Sequence, residues 1–227
     1  MKGICMANRS NDRSWDATQH YKNAKVAKEY DQVRFSSLAG RTFNAQEKRI
    51  VQECFRDFPR GTVILDIPCG TGRLAEALLD SGLKVHGADI SAEMLDVAKE
   101  RLANYGDHFT IEVMDAFKQA GSDRRFEAAL CARVLMHFPL ETQIKFLQGV
   151  ASITQKRLVI NHSLNSPYQR FRRWIKKLLG HQQSAGYPIT NHEIKRLLAE
   201  SGFIEVERRR INSLISEAIY IVAEKIH

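Results

Sequence analysis

Residues 63–78 read VILDIPCGTGRLAEAL: an apolar run closed by Asp66, a turn carrying Gly70 and Gly72, and then apolar residues at helical spacing. A strand that turns into a helix across two bare glycines brings backbone N–H groups and a helix N-terminus against a ligand, with no Cβ in the way. GTGRLA also satisfies the G-x-G-x-x-G/A pattern of dinucleotide sites, and Asp89 follows at about the distance of a ribose-binding acid. A nicotinamide or flavin oxidoreductase is therefore a legitimate reading of the turn alone. Asp66, four residues ahead of Gly70, weighs against it. A carboxylate there repels a pyrophosphate and attracts a ligand with a cationic head.

The rest of the chain supplies the sheet such a turn needs. TVILDI (62–67), KVHGAD (84–89), FTIEVMD (109–115), FEAALCA (126–132) and KRLVINHS (156–163) read as strands. Helical patterns separate them at RLAEALLDSG (73–82), SAEMLDVAKERLANYG (91–106) and LETQIKFLQGVASI (140–153). Strands alternating with helices imply right-handed crossovers and a doubly wound, mostly parallel α/β sheet. The C-terminal part breaks the rhythm: a helix in TNHEIKRLLAESGF (190–203) precedes IEVERRRIN (204–212) and SEAIYIVAEK (216–225). Two strands joined by a short turn must run antiparallel. Seven strands result, the last two an antiparallel pair. Residues 1–58 are expected to be a helical N-terminal segment of the same domain, and 59–227 its core, with a basic amphipathic helix inserted at about 165–181.

Charge and cysteines narrow the setting. The formal net charge of +8 over 227 residues raises acidic partners, and much of it sits in RFRRWIKK (170–177) and ERRR (207–210). The longest apolar run, AIYIVA (218–223), is far short of the roughly 20 residues that span a bilayer. The cysteines at 5, 54, 69 and 131 show no metal spacing, so no metal is expected and the thiols read as reduced in a cytoplasmic protein.

With Asp66, Cys69, Gly70 and Gly72 in one strand–turn–helix and Asp89 in ADISAEML, the chain resembles the class I S-adenosylmethionine-dependent methyltransferases of the small-molecule type. The resemblance runs from about residue 20 onward, with its specific motifs between 62 and 140. It implies S-adenosyl-L-methionine as cofactor. Asp89, with Ile90 beside it, would hold the ribose hydroxyls, and Asp115, with Ala116, would meet the adenine. Two departures stand out: Arg73 occupies a position often filled by a third glycine, and Glu127 one where Asp is commoner.

The same resemblance makes 1–58 a lid, in which Tyr30 would approach the substrate and Arg34 or Arg41 would pair with the cofactor carboxylate. A sulfonium methyl is a strong electrophile, so the protein chiefly aligns the acceptor, with one positioned base where the acceptor carries a proton. His137, after the fourth strand, is the first candidate base and His162, at the end of the fifth, the second. Tyr168 opens the amphipathic segment YQRFRRWIKKLLGH (168–181), either a substrate or membrane-surface lid or a packed helix with a solvated basic face. The expected reaction is direct methyl transfer to a small acceptor, acidic or lipidic. RNA or protein methylation, an NAD(P)-dependent oxidoreductase and a non-catalytic interaction module are the alternatives. Nucleic acid is not the expected partner.

Overall fold

A computed structural model describes residues 37–165, 167, 168, 170, 174, 186–211 and 218–226. Tyr30, Arg34 and most of the segment 168–181 lie outside the described residues.

Twelve principal elements follow in order among the described residues: α1 (Leu38–Cys54), β1 (Val63–Asp66), α2 (Arg73–Asp80), β2 (Lys84–Asp89), α3 (Ala92–Arg101), β3 (Phe109–Val113), β4 (Phe126–Cys131), α4 (Leu140–Ser152), β5 (Thr154–Ser163), α5 (Asn191–Ala199), β6 (Phe203–Arg210) and β7 (Ala218–Lys225). The strands form one seven-stranded sheet in the order β3-β2-β1-β4-β5-β7-β6. β1 to β5 are mutually parallel, while β7 runs antiparallel to both β5 and β6. The C-terminal pair is thus a hairpin whose second strand slots in beside β5 and leaves β6 on the edge.

Alternation along the strands builds a core on each face of this sheet. Leu65, Ala129, Cys131, Leu158, Ile160, Ile219 and Ile221 face one side with α4 and α5. Ile64, Ala128, Leu130, Val159, Tyr220 and Val222 face the other with α1 and α2. α3 is held at its start by Ser91, whose Oγ accepts from the Met94 amide at 3.2 Å. It is shorter than its sequence pattern predicts. The helix ends at Arg101, with Leu102 as C-cap, and a 3-10 stretch covers Ala103–His108.

Strand order reverses beside β1, whose neighbours β2 and β4 are followed by connections on opposite faces. In an open parallel sheet this is where a crevice forms beyond the carboxyl ends of the strands.

Candidate active site

One cavity lies at that point, lined from the ends of β1 (Asp66–Thr71, Arg73, Leu74), β2 (Asp89, Ile90, Met94), β3 (Met114–Phe117) and β4 (Ala132–Val134, His137, Phe138), with Phe146 from α4. The turn after β1 is pinned to β2 by main chain: the Cys69 amide donates to the Ala88 carbonyl at 2.9 Å. Side chains then complete it. Asp89 Oδ2 accepts from the Gly70 amide at 2.9 Å, and its Oδ1 accepts from the Ser91 amide at 3.0 Å. One carboxylate thus sets the spacing between the glycine turn and the start of α3. Burial still holds the Asp89 carboxyl above the ordinary range, although those amides pull it down.

Asp66 is the anomaly of the cavity. It is 1% exposed, and its Oδ2 has no hydrogen-bond partner. Desolvation first, and the neighbouring Asp89 second, push its carboxyl up to about 8. A buried polar oxygen left without a partner is costly, so its presence in a cavity wall points to a ligand that supplies the missing donor.

At the other end, Asp115 caps the 3-10 turn Ala116–Lys118 by accepting from the Phe117 amide at 3.0 Å. Phe117, Phe138 and Phe146 meet edge-on or tilted, with ring centroids 5.5 to 6.2 Å apart. They give this wall an aromatic surface.

Two arginines complete the lining, and sequence reasoning did not assign a role to either. Arg73 begins α2 and is buried, its Nη2 2.6 Å from Glu47 and its Nη1 2.7 Å from Asn44 Oδ1. Arg133, just past β4, adopts φ 64, the left-handed region, and its Nη1 stands 3.6 Å from Glu47 Oε1. Arg73 was legible only as the residue that breaks the glycine pattern. Arg133 carried no signal beyond its place after a strand.

Among the expected site residues, Asp66, Cys69, Gly70, Asp89, Ile90, Asp115, Ala116 and His137 all line this one cavity. Others do not. Gly72 is absent from the lining and has a packing role: a Cβ there would come within 2.7 Å of Leu102 Cδ1 and 3.2 Å of Ala98 Cβ. His162 is fully buried away from the cavity, and burial pushes its imidazole down to about 4. His162 is the penultimate residue of β5 and, by strand alternation, shares the face of Leu158 and Ile160 packed against α4, where it meets Gln143. Arg41 lies exposed on α1 outside the lining, and Tyr168 is exposed as well. No cluster of metal-ligating side chains occurs among the described residues.

The fold and the glycine turn have counterparts among known proteins. The sequence pattern of a methyltransferase domain matches residues 64–157, the span that supplies every residue lining the cavity. Residues 64–157 thus carry the pattern of a methyltransferase domain. A magnesium-protoporphyrin O-methyltransferase from Synechocystis is 26% identical over 151 residues, which is 63% of each chain. A ubiquinone biosynthesis O-methyltransferase from Coxiella burnetii is 32% identical over 80 residues, 35% of this chain and 34% of that one. The chain therefore aligns with less than two thirds of either relative. In fold, it superposes on the crystal structure of magnesium protoporphyrin IX methyltransferase from Synechocystis with bound SAH at a TM-score of 0.69 and 18% identity, covering 88% of this chain and 98% of that one.

For S-adenosylmethionine, the cofactor that such a domain implies, the cavity residues fit in kind. An orphan carboxyl oxygen and a second buried acid suit a cationic amino-acid nucleoside, whose charge favours their ionised form, whereas a diphosphate bridge would oppose it. No helix among the described residues is long and apolar enough to cross a membrane.

Proposed function

We propose that the protein transfers a methyl group from S-adenosylmethionine to an oxygen atom of a small acceptor bearing an anionic group on an apolar, flat body. The unpaired, buried Oδ2 of Asp66 carries this reading, because a cationic head is what it lacks. The names of the two curated relatives support oxygen as the acceptor atom.

When bound, the cofactor supplies an electrophilic methyl on a sulfonium. The chain's residues do the rest. Asp66 receives the ammonium of the cofactor's amino-acid head, and Arg73 and Arg133 take its carboxylate, the role first expected of Arg34 or Arg41. Asp89 holds the ribose hydroxyls with the oxygen lone pairs left over from the Gly70 and Ser91 amides. Asp115, Ala116 and Ile90 face the adenine. Phe117, Phe138 and Phe146 present an aromatic wall, with His137 in the same loop as Phe138 to accept the acceptor's proton.

The test is transfer of tritium from S-adenosyl-[methyl-³H]methionine to a panel of phenols, catechols and aromatic carboxylates, with RNA and neutral lipids as comparison. Label on an oxygen of an acidic aromatic compound is expected. Label confined to RNA, or reduction of substrates by NADH with no methyl transfer, overturns the reading.

A further inference from the structure

His162 Nδ1 lies 2.8 Å from the Ser163 amide and 3.2 Å from the Ser163 carbonyl, and the Gln143 oxygen facing Nε2 places the proton of a neutral ring there. Nε2 lies 3.0 Å from Gln143 Oε1, so the amide of Gln143 is oriented with its oxygen toward β5. Gln143 Nε2 then donates to the Phe138 carbonyl at 2.8 Å. Both His162 and Gln143 are buried, at 0% and 1% exposure, whereas Phe138 and the adjacent His137 line the cavity.

We propose that His162 and Gln143 are positioning residues: their hydrogen-bond relay from β5 through α4 fixes the Phe138 carbonyl and thereby the His137–Phe138 turn at the acceptor end of the cavity. Placing that turn at the acceptor end rests on the proposed methyl transfer; the relay itself does not.

Three features support the assignment. The 3-10 turn Leu135–His137 is held from its other side by the Tyr187 amide, which donates to the Met136 carbonyl at 2.8 Å, so Gln143 supplies the matching brace. Within the turn the His137 and Phe138 amides donate to the Val134 and Leu135 carbonyls at 3.0 Å, which leaves the Phe138 carbonyl to be met by Gln143. Finally, a buried glutamine whose amide donates at one end and accepts at the other transmits an orientation, as no apolar side chain of equal size can. The acid with the clearest influence on His162 is Glu193 of α5, which is itself occupied by its capping contacts with Thr190. It offers His162 no proton route to the cavity.

The test uses the full chain and three variants. Gln143→Met keeps length and removes both ends of the relay, His162→Leu removes its donor, and His162→Gln restores an amide donor near the place of Nε2. Amide hydrogen exchange is read by mass spectrometry, the His162 ring by long-range ¹H–¹⁵N NMR, and S-adenosylhomocysteine binding by calorimetry. The wild-type ring should be the Nε2–H tautomer. Gln143→Met and His162→Leu should speed exchange of the His137 and Phe138 amides about tenfold, while amides of β1 and β2 and S-adenosylhomocysteine affinity stay within about twofold. His162→Gln should exchange like wild type. An Nδ1–H ring, unchanged exchange in His162→Leu, no rescue by His162→Gln, or protection lost equally across β1 and β2 overturns the relay. A wild-type protein that fails to bind S-adenosylhomocysteine would instead refute the proposed function, with the exchange pattern still deciding the relay.

Discussion

Arg73 and Glu47, twenty-six positions apart, meet as a buried ion pair at 2.6 Å that ties the first turn after the glycines to α1. Glu47 is 1% exposed and also accepts from the Tyr220 hydroxyl at 2.8 Å, so one carboxylate joins α1, α2 and β7. Removing one member of such a pair strands the other charge in low dielectric, which costs about 3–5 kcal/mol. Glu47→Gln should lower the unfolding free energy by about 3 kcal/mol in urea titrations, whereas Glu47→Met with Arg73→Met should recover most of the loss. A loss under about 1 kcal/mol for the single substitution would show the pair is not a structural hub.

The two glycines of the turn should separate stability from binding. Gly72 at φ 74 has Leu102 and Ala98 against its bare Cα, so Gly72→Ala adds overpacking to backbone strain. A loss of about 2–4 kcal/mol is expected, with ligand affinity of the folded protein retained. Gly70 at φ 55 has no heavy atom within 4 Å of an added Cβ and lines the cavity. Gly70→Ala should cost only about 1–2 kcal/mol of strain yet weaken S-adenosylhomocysteine binding at least tenfold by calorimetry. Equal effects of the two substitutions on binding would contradict this division.

His162 makes acid stability a second readout. Its pKa is depressed from 6.5 to about 4, so folding favours the neutral ring. The contribution is fully present above pH 6.5, because neither state is then protonated, and is lost as pH falls toward 4, where the unfolded chain gains a proton that the folded one does not. The full excursion corresponds to about 3 kcal/mol. His162→Gln should flatten the pH dependence of unfolding free energy across that window. An unchanged slope would place the titrating group elsewhere.

Much of this was legible because the motifs are local. Asp66, Gly70, Asp89 and Asp115 each end a strand or open a turn, and strand–helix alternation determines that such ends gather on one edge of the sheet. What could not be read depends on contacts between distant segments. Arg73 belongs to the cavity because Glu47 and Asn44 of α1 hold it there. His162 has the chemistry of a base and the sequence position of one, yet within β5 it shares the face of Leu158 and Ile160 and is buried against Gln143 of α4. Gly72 reads as a ligand glycine, but its αL conformation serves close packing on α3 and the chain just beyond it. The pattern read as one helix from 91 to 106 divides at Leu102 into α3 and a 3-10 stretch.

The carboxyl of Asp66 offers the most direct measurement. Burial and Asp89 raise it from 3.8 to about 8, so in the unliganded protein its stabilising contribution is complete below pH 3.8 and disappears as pH climbs through 8. A cationic head beside Oδ2 reverses that shift, and binding near pH 7 must release a proton. Calorimetric titration with S-adenosylmethionine at pH 7 in phosphate and in Tris, which differ in ionisation heat, should show release of about one proton per site in wild type and none in Asp66→Asn. Tight binding with identical heats in both buffers, or binding of NADH in place of S-adenosylmethionine, would contradict the account.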